Sequence, residues 1–393
     1  MAPNPAHPVT VSHAPLAPGG AGAAVERWTL RAGPVEVTVL TLGATLHGVR
    51  IPDRTGAVAQ VLLGTEDLGQ ILGPARHFGA TVGRYANRIA DSVITLDGVA
   101  HPLAPTGAGV TLHGGPDGFA NRIWTAEEVP ARTTPDEIAP DEMAPDEKGA
   151  GGQSAGGPRA GVRLRLHSPD GDQGFPGALD VRVDYLLSPT GELAIEYRAV
   201  TTRPTVVNLT NHAYLNLAGE GSGDVLGHLL TLDADAYTPV DQRQIPYGPY
   251  EPVAGTPFDF RTARPIGEAI HQDHPQLAGP GGYDHNWVLR ARSQDGPPVR
   301  AALLQDPVSG RSVEVLTTEP GVQVYTANAF RGEVRGVSGT AYGPYAGVAL
   351  ETQHHPDSPH HPGYPSTELR PGQEFRSVTI LRFAWDFPTS HMR

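Results

Sequence analysis

The sequence predicts an all-β chain, and within that class one large antiparallel β-sandwich. Three observations carry the prediction. Gly 48 and Pro 39 punctuate all 393 residues, and residues of these types end regular elements and shape turns. Between them lie short runs rich in Val, Leu, Thr and Tyr with the two-residue period of half-buried strands. Helix signals are scarce. A chain this long could hold two average domains or one large all-β domain, and the regular alternation of strands and turns favours one. The hydrophobic fraction of 39% is low, yet a chain of this length can still bury a sizeable core.

Bulk properties exclude several classes of function. The formal net charge of −13 disfavours nucleic acid or an anionic membrane as partner. Cysteine is absent, which removes disulfides, thiolate nucleophiles and cysteine-ligated zinc together. The start, Met1-Ala2-Pro3-Asn4-Pro5-Ala6, has neither a basic leader nor an apolar run of the signal-peptide kind. No apolar run approaches the length of a membrane span. The expected setting is therefore the cytoplasm.

Residues 1–24 are rich in Pro, Ala and Gly and read as a flexible arm, with a strand near Val9-Thr10-Val11. A single domain is expected over 25–393. Val35, Val37 and Val39 alternate with Glu36 and Thr38, Gly43-Ala44-Thr45-Leu46 is a second apolar segment, and Asp53-Arg54-Thr55-Gly56 is turn chemistry. Phe78 to Ile89 then carries Arg84 and Arg88 in a small, apolar setting. Buried arginine is rare unless paired, so these two serve either a site or structural carboxylates. Leu96-Asp97-Gly98-Val99 is a hairpin signal. In Leu112-His113-Gly114-Gly115 the glycines permit close approach of backbone and ligand, although a plain turn would also explain them.

Residues 132–161 differ in character. Pro-Asp-Glu recurs at Pro135, Pro140 and Pro145, and a Gly/Ala/Ser stretch follows. The segment reads as a low-complexity acidic insertion, and its acids lack an EF-hand pattern. Strand patterns resume with Val162, Leu164 and Leu166, then Val181, Val183 and Tyr185, then Leu193, Ile195 and Tyr197.

The stretch from Thr205 to Leu217 has two faces at strand period. Asn208, Thr210, His212, Tyr214 and Asn216 share one phase, and Val207, Leu209, Ala213, Leu215 and Leu217 the other. Uncharged hydrogen-bonding groups around an imidazole suit a ligand covered with hydroxyls. A half-buried strand with a satisfied histidine fits the same pattern. Tyr237, Tyr247, Tyr250, Phe258 and Phe260 lie in loop-like stretches and read as stacking surface, and Tyr283-Asp284-His285-Asn286-Trp287 sets a carboxylate among aromatics. Such surroundings suit a sugar, which has an apolar face and a hydroxylated rim. Gln323 faces away from Val322 and Val324, and Glu351 ends the apolar strand Gly347-Val348-Ala349-Leu350. A glutamate on a buried strand is either paired or sits in a site with a raised pKa. His354, His355, His360 and His361 invite a zinc reading, but the prolines among them argue for an extended loop.

Together these stretches resemble the aldose 1-epimerase (galactose mutarotase) family. The matching segments are Val82-Gly83-Arg84 through Asn87-Arg88-Ile89, Leu112-His113-Gly114-Gly115, Asn208-Leu209-Thr210-Asn211-His212, Gly282-Tyr283-Asp284-His285, Val322-Gln323-Val324-Tyr325-Thr326, and Leu350-Glu351-Thr352-Gln353 with Pro356-Asp357. They fall in the family's order and cover the chain from about residue 25 onward, except for the insertion. The resemblance implies a galactose mutarotase-like antiparallel supersandwich with the sugar in a cleft on one face. It implies that Glu351 and His212 carry the chemistry, and that Asn87, Arg88, His113, Tyr214, Asp284 and Gln323 hold the sugar. No cofactor and no metal are implied. The expected partner is a small monosaccharide, neither nucleic acid nor membrane, with the protein a monomer or weak homodimer. Thr106 and Val110 stand where the family has asparagines, and His360 replaces another.

The implied reaction interconverts the anomers of a free aldohexose such as glucose or galactose. A base takes the proton of the anomeric hydroxyl while an acid protonates the ring oxygen, and the opened aldehyde rotates before the ring closes. The expected roles are Glu351 ionised as base and His212 protonated as acid. Three rivals compete: a hexose-phosphate epimerase relative, a glycoside hydrolase using Asp284 with Glu351, and a non-catalytic sugar-binding module.

Overall fold

The computed structural model describes residues 4–18, 24–107, 109–132, 158–290 and 296–386. Antiparallel sheets dominate it. Strands Val9–Pro18, Ala24–Ala32, Val35–Leu40, Thr45–Pro52 and Val58–Gln60 form a five-stranded meander in chain order. A nine-stranded sheet runs from Thr125–Arg132 through Arg159–Ser168, Leu179–Leu187, Leu193–Thr201, Glu374–Ala384, Ser312–Thr317, Val299–Gln305 and Leu229–Leu232 to Arg264–Pro265. A six-stranded sheet places Tyr214–Leu215, Val348–Gln353, Gly321–Tyr325, Asp284–Leu289, Ala234–Tyr237 and Glu251–Pro252 side by side. One apolar cluster draws on all three sheets, including Leu30, Val37, Val183, Tyr185, Val322 and Trp287. Apolar side chains from several sheets meeting in one core is the sandwich solution to covering sheet faces.

The N-terminal stretch departs from the flexible arm expected over residues 1–24. Val9–Pro18 is a ten-residue strand in register with Ala24–Ala32, from Val9 opposite Ala32 onward. Val9 and Val11 pack against the core, and the Asn4 amide donates to the carbonyls of Thr190 and Phe383. The strand expected near Val9-Thr10-Val11 is present and runs on to Pro18, because a backbone ladder ties proline- and alanine-rich chain as well as any other. Residues 133–157 of the expected insertion lie outside the described residues. The strands flanking it, Thr125–Arg132 and Arg159–Ser168, are antiparallel neighbours.

The six-stranded sheet positions the chemistry. Side chains alternate along a strand, and directly paired residues share a face. Val322 and Val324 enter the core, so Gln323 points the other way. Gln323 is paired with Glu351 on one side and with Asn286 on the other, Tyr325 with Asp284, and Tyr214 with Ala349. Tyr214, Glu351, Gln323 and Asp284 therefore occupy one face.

Three expectations change at this level. The stretch from Thr205 to Leu217 is not one strand: Thr205–Val206, Thr210–Asn211 and Tyr214–Leu215 each pair with a different partner. Its asparagines are structural. Asn208 Nδ2 donates to the carbonyls of Ala86 and His354, Asn211 Nδ2 to Gly79 O, and Asn216 Nδ2 to Ala346 O. Carboxamides in a broken strand supply the hydrogen bonds that the missing ladder would have made. The aromatic loops are the second change. Tyr237, Phe258, Phe260, Tyr283 and Trp287 are buried in the core, with Trp287 Nε1 donating to Phe258 O. Arg84 is the third: it bonds backbone carbonyls directly, while Asp172 and Asp170 favour its charge without accepting a hydrogen bond from it. Its guanidinium donates to the carbonyls of Pro176, Gly177, Ser168 and Pro169 and to Ser168 Oγ.

Candidate active site

Glu351 and His212 meet from different elements, with His212 Nε2 lying 3.5 Å from Glu351 Oε1. Both are almost fully buried. Burial raises the Glu351 carboxyl well above its usual range, Asp284 pushes it further up, and Arg88 pulls it back. Burial lowers His212 to about 4. The pair therefore favours carboxylic acid beside neutral imidazole. That pair carries one proton, as does the carboxylate–imidazolium pair expected from the sequence, so the two are tautomers related by a short transfer. Glu351 Oε2 is buried and has no hydrogen-bond partner among the described residues.

His113 is fixed by its neighbours. Its own backbone is left-handed at φ 54° and so is that of Asn87 at φ 64°. Gly114 is needed here because a Cβ would lie 2.0 Å from Gly83 O. The Asn87 backbone N–H donates to His113 Nδ1 at 3.2 Å, and Asn87 Oδ1 accepts from the Arg88 N–H at 2.9 Å. With Nδ1 accepting, the His113 proton sits on Nε2, which makes that atom a donor. Burial, then the nearby His77 and His212, hold His113 neutral, well below the usual imidazole range.

Asp284 faces two carboxamides. Gln323 Nε2 donates to Oδ1 at 2.7 Å, and Gln244 Nε2 donates to Oδ2 at 2.6 Å. The Gln244 carbonyl oxygen in turn accepts from Arg88 Nη2. Tyr214 lies beside His212, with ring centroids 4.9 Å apart, and its other neighbours Phe78, Phe330 and Tyr325 form an aromatic flank. All eight site residues expected from the sequence are thus joined into one connected group.

Several members were missed by sequence reading. His77 stacks near His212 at 6.1 Å and meets His113 edge-on at 4.9 Å. Burial, His212 and Arg76 lower it to about 3. It lies five residues before Val82, where the first matching segment begins, so only its position could have flagged it. Gln244 sits in a loop without strand period, and nothing in the sequence marks it.

A metal is the competing use of this cluster. One ligand atom each from His113, His212 and Glu351 lie within 4.8 Å of one another. The donor set as held does not suit an ion, because the Asn87 N–H occupies His113 Nδ1 and leaves Nε2 protonated. The histidines near residue 355 do not converge on one point: His354 meets Glu319 at 2.7 Å, His355 the Tyr250 hydroxyl at 3.0 Å, and His360 and His361 share Asp357 at 2.6 and 3.5 Å. Thr106 closes its own loop, its hydroxyl donating to Val110 O and accepting from Leu112 N. No helix among the described residues is long and apolar enough to cross a membrane.

Comparison with known proteins agrees with this geometry. The family profile for aldose 1-epimerase matches residues 26–382. Galactose mutarotase of Rattus norvegicus is 38% identical over 367 residues, covering 93% of this chain and 96% of its own. Aldose 1-epimerase of Escherichia coli K12 is 39% identical over 349 residues, with 88% and 91% covered. The crystal structure of galactose 1-epimerase from Lactobacillus acidophilus superposes with a TM-score of 0.77 at 25% identity, over 96% of this chain and 99% of that one. With the family profile matched over residues 26–382 and relatives 38–39% identical along most of the chain, this chain belongs to the aldose 1-epimerase family.

Proposed function

We propose that the chain interconverts the α and β anomers of free aldohexoses such as glucose and galactose, with Glu351 and His212 exchanging protons with the sugar. The observation that carries this reading is the buried pair itself, 3.5 Å from imidazole nitrogen to carboxylate oxygen. The anomeric hydroxyl oxygen and the ring oxygen hang on one carbon, so an acid and a base side by side can reach both. In the active tautomer the proton has crossed to His212 and Glu351 is ionised, a form that Arg88 favours. Glu351 removes the anomeric proton as His212 delivers its own to the ring oxygen, and the roles reverse on closure. His113 Nε2–H, Arg88, Asn87, Gln323, Asp284 and Tyr214 hold the hydroxylated rim and apolar face.

The rivals fit less well. Both Asp284 oxygens accept carboxamide N–H groups, which suits a binding residue rather than the second carboxylate of a hydrolase. A phosphate site needs clustered cations, and Arg84 is committed to carbonyls. A binding module has no use for a buried glutamate set against an imidazole, because burying the carboxyl is costly.

Polarimetry on freshly dissolved α-glucose and α-galactose tests the reading, with faster return to equilibrium rotation expected at catalytic protein concentrations. The pH profile should be bell-shaped, since one proton must reside on the pair. Both limbs belong to the coupled pair; burial lowers His212 to about 4 and raises the Glu351 carboxyl, which widens the range over which the pair holds one proton. No acceleration with either sugar would remove this function.

A further inference from the structure

The geometry points to Gln244 as a substrate-positioning residue that sets sugar affinity by bridging Arg88 to Asp284. This inference rests on the anomer-exchange reading and goes beyond it, since Gln244 belongs to no motif that carries the family resemblance. Its carboxamide donates to Asp284 Oδ2 at 2.6 Å, and its carbonyl oxygen accepts from Arg88 Nη2. Arg88 also supplies the only stabilising charge on Glu351 among its main electrostatic influences, and Asp284 the opposing one. One neutral side chain thus holds the two charged groups that bracket the catalytic carboxyl. A carboxamide offers a donor and an acceptor on one rigid plane, so it can satisfy anion and cation at once. Carboxylate or ammonium would satisfy only one.

The loop under Gln244 is built to hold that orientation. Gln244 is left-handed at φ 60°, a conformation uncommon outside glycine. Asp241 accepts from the Arg243 and Ile245 N–H groups through Oδ1, at 2.8 and 2.9 Å. Arg243 Nη1 reaches Asp91 at 3.0 Å, and Gln276 exchanges two hydrogen bonds with the Val240 backbone. The turn is therefore anchored at Asp91 and at Gln276, and the side chain it presents is pre-organised for binding.

The bridge constrains what the sugar meets. With Gln244 and Gln323 each spending one N–H on Asp284, the carboxylate is oriented and keeps lone pairs for hydroxyl donors. Arg88, tied on one nitrogen, keeps its remaining N–H groups for hydroxyl acceptors. Losing the bridge frees both side chains to rotate, and the sugar must then order them itself on binding. That cost falls equally on bound sugar and transition state, so it raises KM and spares kcat.

The test is Gln244→Leu, which keeps the bulk and removes both hydrogen bonds, together with Gln244→Ala. Each is assayed by polarimetry on α-galactose and by calorimetric galactose titration, with thermal melting alongside. The expected result is a rise of about tenfold in both KM and Kd for each variant, with kcat within about twofold and melting unchanged. Unchanged KM overturns the proposal, and a lowered KM overturns it too, because Gln244 would then compete with sugar. A fall in kcat that tracks a fall in melting temperature also overturns it, leaving only a structural role. If the unmodified protein itself gives no acceleration, the anomer-exchange reading fails first. If it is active and the variants match it, only the role of Gln244 fails.

Discussion

The nine-stranded and six-stranded sheets each bury carboxylates, and they treat them in opposite ways. On the nine-stranded sheet Asp184, only 2% exposed, receives Arg163 through two bonds of 2.9 Å and Arg182 at 3.1 Å. Glu192 and Glu314 share Arg382. On the six-stranded sheet Asp284 is held by two neutral carboxamides, and Glu351 faces an imidazole that burial keeps uncharged. A bidentate arginine leaves a carboxylate ionised and inert. Glu351 instead has burial first and then Asp284 raising its carboxyl well above the usual range, with Arg88 opposing them, so it holds its proton and can exchange it. The difference separates carboxylates that hold the fold together from carboxylates kept available for chemistry.

Substitutions on the two sheets should break apart along this line. The largest effect is expected from His212→Asn, whose amide can hydrogen-bond the ring oxygen without protonating it. Turnover should fall by ~10²–10⁴ with calorimetric sugar affinity nearly intact. Adding Glu351→Gln to it should cost little more, because the two residues act as a unit. A double variant far slower than either single one would show that they act independently.

Asp284→Asn should act on affinity. Hydrogen bonds to a charged group contribute about 1.5–3 kcal/mol, so KM should rise by about 10- to 100-fold with a smaller loss in kcat. The same polarimetric titration reads both, and loss of kcat with KM unchanged would revive the hydrolase-like role for Asp284.

On the other sheet, Asp184→Asn should leave polarimetric turnover within about twofold while costing ~1.5–3 kcal/mol in denaturant unfolding. The smallest effect is a sharpening one. Because the folded-state pKa of Glu351 is raised, stability is present at low pH and is lost as pH rises through that value. Glu351→Gln cannot ionise, so its melting temperature should gain on the parent's as pH rises. A constant gap across pH would mean that Glu351 is compensated after all.

Much of this was legible in the sequence, for identifiable reasons. Strand period and turn residues report local geometry directly, so the all-β class followed from them. Glu351 stood out because a carboxylate closing an apolar strand has few explanations. Their setting alone could not separate Arg84 from Arg88, and only the resemblance singled out Arg88, since what distinguishes them is the set of carbonyls at residues 168–177 that folding brings to Arg84. The aromatic loops misled for a similar reason: Phe258 and Trp287 look like stacking surface until the sheet beneath them is known. Gln244 was invisible because its meaning lies wholly in its two partners, 156 and 40 residues away in sequence.

The most direct test of the central claim is Glu351→Gln, read by the return of optical rotation after dissolving α-galactose, with galactose affinity measured by calorimetry on the same sample. The substitution keeps the shape and removes the carboxyl that exchanges the proton. The account predicts turnover lowered by ~10²–10⁴, with affinity within a few-fold of the unmodified protein and the fold retained. Near-normal mutarotation by this variant would contradict it and move the proton transfer away from Glu351.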